Sequence, residues 1–189
     1  MAVVVVDDAF EDVDRIREHA LRSEFGTMSG PEGAAYENMC FDVPAWLGTT
    51  LYSRLRQLVG PIEPYTIFFR LNTRETRIPH WAHTDSKLCD ANALLYLSRD
   101  PPPGSGTAVV EHVSGLARHP ETEEEYATWR RDHSRYEMWR VVDFAPMKYN
   151  RLVLIPADLL HAAMPPEGFG SGLEDGRLVL VTFFKELRT

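Results

Sequence analysis

The chain has 189 residues and a formal net charge of −8 at pH 7. Its hydrophobic content of 44% and charged content of 25% are those of an ordinary globular domain that buries its own core. The acidic balance argues against a partner such as duplex nucleic acid or an anionic membrane, because both need clusters of Lys and Arg for phosphate contacts. We therefore expect one domain over residues 1–189 with neither kind of partner.

Two features bear on the cellular compartment. The apolar run Val3–Val6 has no basic residue before it and is ended by Asp7 and Asp8, which is not typical of a signal peptide. Cys40 and Cys89 are predicted to be reduced, buried thiols. These features predict a cytoplasmic protein, which we expect to act as a monomer or homodimer.

Residues 1–64 predict a short strand and supporting helices. β-Branched residues favour the strand, whereas acidic caps and leucines at helical spacing favour the helices. Glycine and proline between the helices favour a loop. The predicted elements are a strand at Val3–Val6, a helix from Asp12 or Asp14 to about Ser23, a loop over 26–44 and a helix over Ala45–Val59.

Residues 65–189 predict the sheet. Short β-rich segments alternate with turns rich in Gly and Pro, as at 100–106 and 165–170. Residues 118–138 interrupt them with a polar helical insertion, which we expect to be a lid. Two helices followed by short strands predict an α+β domain, with the sheet folded on itself as a jelly roll of about eight strands and the N-terminal helices packed on one sheet. The predicted strands are Tyr65–Asn72, Trp81–Asp85, Asn92–Ser98, Thr107–His112, Trp139–Asp143, Arg151–Ile155, Leu160–Met164 and Arg177–Lys185.

His83 and Asp85 are the first candidate metal ligands. They are separated by one residue within a predicted strand, so both side chains point to the same side of it. This pattern is weak by itself because it recurs by chance. His161 supplies a third ligand, since the second and seventh strands can be neighbours in a rolled-up sheet. Two imidazoles and a carboxylate suit non-haem Fe(II), although zinc accepts the same ligands.

Arg177 begins the last predicted strand and shares a face with Val179 and Val181, which are expected to be core. Burying an unpaired guanidinium is costly, so this arginine needs an anionic partner. A carboxylate of a bound ligand would suit its two-pronged donor geometry. An ion pair with Glu174 or Asp175 is the alternative.

These residues resemble a known family. The run His83-Thr84-Asp85, the Gly106-Thr107 turn, the stretch Asn150–Pro156 that leads to His161, and Arg177 with its apolar strand are similar to the Fe(II)/2-oxoglutarate-dependent oxygenases. The similarity is greatest to a small, poorly characterised group related to the prolyl 4-hydroxylases. The N-terminal segment, Val-Val-Asp-Asp-Ala-Phe followed by an amphipathic helix, is also similar, so the resemblance covers nearly the whole chain.

The resemblance implies a double-stranded β-helix in which His83, Asp85 and His161 bind Fe(II). It implies that 2-oxoglutarate chelates this iron, pairs its 5-carboxylate with Arg177, and is converted to succinate with consumption of O2. The expected reaction is hydroxylation of an unactivated C–H bond in a small molecule or a peptidyl side chain.

Two positions depart from the family pattern. Val179 stands where many relatives have Ser or Thr two residues after the arginine, so the second partner of the 5-carboxylate is unassigned. Ser105-Gly106 stands where Gly-Gly is expected, a change that should spare the turn.

Five other residues are candidates for the pocket. Asn72 is assigned to the co-substrate because relatives often place a co-substrate contact on the strand that corresponds to Tyr65–Asn72. Tyr96 is assigned to it because a tyrosine hydroxyl can hydrogen-bond a ligand. Trp81, His112 and Tyr149 are assigned to the substrate. Trp81 is equally suited to the core, and Tyr96 to a backbone hydrogen bond.

Two other functions fit the same residues. A cupin-type jelly roll, such as an isomerase or a dioxygenase that needs no 2-oxoglutarate, would retain activity without Arg177. A non-catalytic module would hold its metal, such as zinc, structurally and would form no succinate.

Overall fold

Ten strands and three helices are present in the computed structural model, which describes residues 2–30 and 34–187. A short 3-10 helix at Tyr136–Met138 follows the third helix. The strands are β1 (Val4–Val6), β2 (Gly26–Ser29), β3 (Ala35–Cys40), β4 (Ile62–Asn72), β5 (Ala91–Tyr96), β6 (Gly106–His112), β7 (Trp139–Pro146), β8 (Leu152–Pro156), β9 (His161–Met164) and β10 (Arg177–Glu186). The helices are α1 (Val13–Arg22), α2 (Ala45–Val59) and α3 (Glu123–Asp132).

The strands form two antiparallel sheets. The major sheet has the order β1-β8-β5-β10-β4-β3-β2, and the minor sheet has the order β7-β6-β9. This arrangement fits the predicted jelly roll. Seven of the eight strands predicted over residues 65–189 are present, β1 matches the strand predicted at Val3–Val6, and β2 and β3 are additional. Because directly paired residues point to the same face, Arg177 and Asn72 lie together on one side of the major sheet, and so do Val179 and Tyr96.

The two faces of the major sheet are covered differently. Leucines of α2 and apolar residues of α1, such as Leu51 and Ile16, pack into one core cluster with Phe69, Leu154 and Leu180. The opposite face forms a second cluster, which the minor sheet completes through residues of β7. The interior between the sheets is therefore the place where polar residues of the major sheet can face a ligand.

The prediction of a loop over residues 26–44 is wrong in part. β2 and β3 form a hairpin that extends the major sheet, with Met39 paired to Arg70 of β4. All four residues of β2 are exposed, so the apolar alternation that marks a half-buried strand is absent there. Pro31 and Gly33 lie outside the described residues.

The strand predicted over Trp81–Asp85 is also wrong. The segment is irregular and touches β9 only through one bridge between His83 and His161, within the described residues. The neighbouring amides bond elsewhere: the N–H of Ala82 donates to the carbonyl of His133, and that of Asp85 to the carbonyl of Ala157.

The insertion over 118–138 is helical, as predicted. Thr122 and Glu125 cap α3 reciprocally, and its first turn is acidic. Both cysteines are free and buried. In the part of the chain that the structure describes, no helix is both long and apolar enough to cross a membrane.

Asn150 joins the N-terminal segment to the turn before β8. Its φ is 62°, and its side-chain amide accepts a hydrogen bond from the N–H of Phe10 at 3.1 Å and donates one to the carbonyl of Phe10 at 2.8 Å. We expect Asn150→Gly to lower the free energy of unfolding by about 1–3 kcal/mol, because two buried hydrogen bonds are lost. Asn150→Ala should cost about 1 kcal/mol more, because alanine is strained at positive φ. Urea unfolding of both variants tests this, and equal stabilities would contradict the strain argument.

Candidate metal centre

The centre is built on a backbone bridge between His83 and His161. The N–H of His83 donates to the carbonyl of His161 at 3.1 Å, and the N–H of His161 donates to the carbonyl of His83 at 2.9 Å. Residues that exchange both hydrogen bonds are cross-strand neighbours, so their side chains project together. The two imidazole rings accordingly lie 4.5 Å apart between centroids.

His83, Asp85 and His161 each offer one ligand atom, and these atoms lie within 4.8 Å of one another. The Nδ1 of His83 lies 3.0 Å from the carbonyl of Trp81, and the Nδ1 of His161 lies 2.9 Å from the carbonyl of Leu159. Each carbonyl accepts the Nδ1 proton, which leaves the Nε2 lone pair for a metal.

Asp85 is oriented by Asn92 of β5. The side-chain amide of Asn92 donates to Oδ2 of Asp85 at 2.6 Å, and the same oxygen lies 3.4 Å from Nε2 of His161. Asn92 is 1% exposed. It is not among the residues predicted from the sequence, although a buried amide in the apolar run Ala91–Tyr96 is the signal that could have indicated it.

The electrostatics favour a bound cation. Burial, reinforced by the adjacent His161 ring, lowers the pKa of His83 to about 4, so this imidazole is neutral at pH 7. Burial would raise the pKa of Asp85, but hydrogen bonding and charge from His161 outweigh it and hold that pKa below its usual value. The pKa of His161 moves the other way: burial would lower it, but the hydrogen bond to Asp85 and the charge of that carboxylate raise it. A neutral His83 thus lies beside a proton-sharing His161–Asp85 pair, and a metal ion would have to displace the shared proton.

The insertion supports the loop that carries the ligands. The indole N–H of Trp129 donates to the carbonyl of Ala82 at 2.8 Å. The hydroxyl of Thr84, between the two loop ligands, lies 2.9 Å from Nδ1 of His119, whose Nε2 lies 2.9 Å from the hydroxyl of Tyr126. These contacts place α3 against the back of the metal-binding loop, in contrast to the predicted lid.

Arg177 lies inside the molecule, as the alternation of its strand predicted. It is 4% exposed, and its Nη2 donates to Oγ1 of Thr107 at 3.0 Å and approaches the carbonyl of Gly106 at 3.5 Å. Its Nε is buried without a partner among the described residues. The alternative ion pairs do not form: Glu174 pairs with Arg17, and Asp175 accepts hydrogen bonds from backbone amides at 171 and 172.

The two residues predicted to help bind a co-substrate lie beside this arginine. Asn72 is 2% exposed and directly opposite Arg177 on β4. The ring centroid of Tyr96 is 5.8 Å from the Arg177 guanidinium carbon, and its hydroxyl donates to Thr107 at 2.8 Å and to the carbonyl of Ala145 at 3.2 Å. Thr107 is therefore a further candidate, which its place in the Gly-Thr turn could have indicated.

The three predicted substrate contacts lie elsewhere. Trp81 belongs to the cluster on the outer face of the minor sheet, where its indole N–H donates to the carbonyl of Ala163. His112 points to the same outer side, because it alternates with the inward Thr107, and its ring bonds Asp132 and Ser114.

Tyr149 lies on the helix side of the major sheet. Its hydroxyl donates to Asp14 at 2.6 Å, and its ring packs against the helix-side core. Alternation along β6 places His112 on the outer side, whereas Trp81 lies in an irregular segment and Tyr149 in a turn, where alternation does not give the direction of a side chain.

Arg70 and Tyr36 also face the interior. The Arg70 guanidinium carbon is 5.5 Å from the Tyr36 ring centroid, and Arg70 pairs with Val179 on the interior face of the sheet. Tyr36 lies on β3, within the segment predicted to be a loop, and for this reason it is not among the residues predicted to line the pocket.

Comparison with known proteins gives structural relatives alone. No protein-family model and no curated protein matches this chain. HygX from Streptomyces hygroscopicus, with nickel, 2-oxoglutarate and hygromycin B bound, superposes with a TM-score of 0.61 at 18% identity, over 97% of this chain and 82% of HygX. The chain has the fold of this protein.

Two further structures share it. The non-haem alpha-ketoglutarate-dependent epimerase SnoN from nogalamycin biosynthesis gives a TM-score of 0.61 at 18% identity, over 97% of this chain and 78% of SnoN. The carbocyclase SnoK from the same biosynthesis gives a TM-score of 0.63 at 13% identity, over 97% of this chain and 79% of SnoK. Alpha-ketoglutarate is another name for 2-oxoglutarate.

Two matched tryptophan substitutions test whether α3 supports the loop that carries His83 and Asp85. Trp129→Phe removes the donor to the Ala82 carbonyl beside His83, and we expect about tenfold weaker nickel(II) binding by calorimetry. Trp139→Phe is the control, because its indole N–H donates to the carbonyl of Asp132 and not to the metal-binding loop. Both should lose similar stability, and equal nickel affinities in the two variants would contradict the role of α3.

Proposed function

We propose that the chain is an Fe(II)- and 2-oxoglutarate-dependent oxygenase. The observation that carries this proposal is the combination of a His-Asp-His triad, with its ligand atoms within 4.8 Å, and a buried arginine without an acidic partner among the described residues. Either feature alone fits other functions. Together they are suited to bind a metal ion and the dianion 2-oxoglutarate in the same interior.

The triad fits iron. Two neutral imidazoles and one carboxylate leave positions on the ion open to other ligands, as non-haem Fe(II) oxygenases require. His83, Asp85 and His161 would hold the iron, and the Asn92 amide would fix the orientation of the carboxylate. Bound iron and O2 would supply the oxidising chemistry, with 2-oxoglutarate as the source of electrons and succinate as its product.

Arg177 fits the distal carboxylate of 2-oxoglutarate. Its unpartnered Nε and the Nη2 that now bonds Thr107 present two donors on one edge of the guanidinium. The hydroxyls of Thr107 and Tyr96 lie beside it and are suited to be the second partner that Val179 does not provide. Asn72, directly opposite, is assigned to the same ligand.

The substrate is proposed to be a small molecule, and the reaction hydroxylation of an unactivated C–H bond. HygX with bound hygromycin B and SnoN with bound nogalamycin RO support a small molecule over a peptidyl side chain. SnoN is an epimerase and SnoK a carbocyclase, so the same fold accommodates reactions other than hydroxylation. The prolyl 4-hydroxylase-related group and the oligomeric state, monomer or homodimer, remain predictions.

Loss of one ligand should abolish the centre. We expect anaerobic addition of 2-oxoglutarate to the Fe(II)-loaded protein to give a weak visible charge-transfer band, and His161→Ala to remove it, because two ligands hold iron poorly. His19→Ala is the control, since His19 lies on α1 and bonds the carbonyl of Asp42. No band in the wild-type protein, together with tight zinc binding, would favour a structural metal site.

Arg177 separates this proposal from a jelly roll that needs no 2-oxoglutarate. We expect Arg177→Met to weaken 2-oxoglutarate binding by about 30-fold or more, because a buried charge pair is lost, while nickel binding is unchanged. Arg17→Met is the matched control: Arg17 is also buried, at 8% exposure, but it pairs with Glu174 on the helix side. Unchanged 2-oxoglutarate affinity in Arg177→Met would contradict the proposal.

A further inference from the structure

A second arginine faces the interior. Arg70 pairs with Val179 on β10 and with Met39 on β3, so its side chain leaves the same face of the sheet as Arg177. The two arginines are diagonal neighbours on adjacent strands. Arg177 reaches across to Thr107 of the minor sheet, whereas Arg70 lies against Tyr36 of the hairpin. Arg177 therefore lies toward the wall formed by the minor sheet and Arg70 toward the wall formed by the hairpin, although the charges of Arg177 and Asp85 both act on Arg70.

Arg70 has no anionic partner. Its guanidinium makes no hydrogen bond or ion pair with any group in residues 2–30 and 34–187. Burial and the positive charge of Arg177 lower the pKa of Arg70 to about 10, so it remains a cation at pH 7. Arg70 is only partly buried, and an anionic ligand that enters the interior would complete its charge pairing.

Tyr36 fixes the position of this cation. The guanidinium carbon of Arg70 lies 5.5 Å from the centroid of the Tyr36 ring, within the range of a cation–π interaction. The ring in turn lies over Gly30, where a Cβ atom would come within 2.2 Å of it. The hairpin thus leaves room for an aromatic ring beside Arg70.

An aromatic row continues this wall. Phe68 lies two residues before Arg70 on β4, and its ring centroid is 5.4 Å from that of Phe41 and 5.7 Å from that of Phe183. Phe183 is paired with Asn92, the residue that orients Asp85. The row therefore runs from the arginine toward the level of the metal ligands, and it suits an apolar body.

We propose that Arg70 and Tyr36 form a second carboxylate-binding site, which holds the acid group of a substrate whose apolar body lies along Phe68 and Phe183. This inference rests on the proposed function, in which Arg177 is occupied by 2-oxoglutarate. The ligand chemistry is a carboxylate, and it has two sources, an acidic substrate or the 1-carboxylate of 2-oxoglutarate. The separate walls favour the substrate.

The test compares acids with their uncharged amides. Phenylacetate and hexanoate, and the corresponding amides, are titrated into nickel(II)-loaded protein with and without saturating 2-oxoglutarate, by calorimetry. We expect the acids to bind at least about tenfold more tightly than the amides, and Arg70→Met to remove that difference. Its affinity for 2-oxoglutarate should fall less than about threefold, in contrast to Arg177→Met.

Arg15→Met is the matched control. The Arg15 guanidinium carbon lies 4.1 Å from the ring centroid of Trp46 on the helix side, so this variant loses a cation–π pair away from the interior.

Each remaining outcome is decisive. An acid–amide difference that persists in Arg70→Met, or none in the wild-type protein, overturns the proposed site. A loss of 2-oxoglutarate affinity as large as that in Arg177→Met shows that Arg70 serves the co-substrate, which overturns the substrate assignment. If the wild-type protein does not bind 2-oxoglutarate, the proposed function fails, but the acid–amide difference measured without it still tests Arg70.

Discussion

The reciprocal backbone hydrogen bonds between His83 and His161 are the constraint on which this site depends. They hold an otherwise irregular loop against the first residue of β9, and they turn two residues that are distant in the chain into neighbours. Asp85 then needs only one further anchor, the Asn92 amide. A regular strand would not be required for this geometry. The loop is kept in place from behind by α3, which explains why a polar insertion is well ordered by hydrogen bonds to its neighbours.

The second constraint is electrostatic. The interior contains two guanidinium groups and, apart from Asp85 at the metal centre, no described carboxylate that pairs with either. Natural sequences break the rule that buried charges are paired mainly where a ligand completes the pairing. On the helix side of the same sheet, the buried Arg17 pairs with Glu174. The equally buried Arg177 has no such acid among the described residues, and this difference favours an anionic ligand in the interior.

The sequence predicted most of the fold because helical spacing and β-rich segments are local signals. It also predicted that His83, Asp85 and His161 lie together, although the premise of a regular strand through His83 was wrong. Its failures are non-local. The hairpin of β2 and β3 has no apolar alternation, and Tyr36 reaches the interior only through a register with β4. Trp81 lies in an irregular segment, so alternation with His83 does not give its direction, and His112 faces the outer side of the minor sheet, a side that alternation alone does not identify.

The attachment of that hairpin has a consequence for one wall of the interior. Within the described chain, β3 is registered to β4 at two positions alone, Met39 with Arg70 and Cys40 with Phe69, and β2 beyond it is an exposed edge. Few backbone bonds therefore join this edge to the rest of the major sheet. Two side-chain contacts add to them, because Asn38 donates to the hydroxyl of Thr76 and the carboxylate of Glu37 accepts from the N–H of Arg77. The wall that carries Tyr36 thus depends on the turn after β4 as well as on strand pairing.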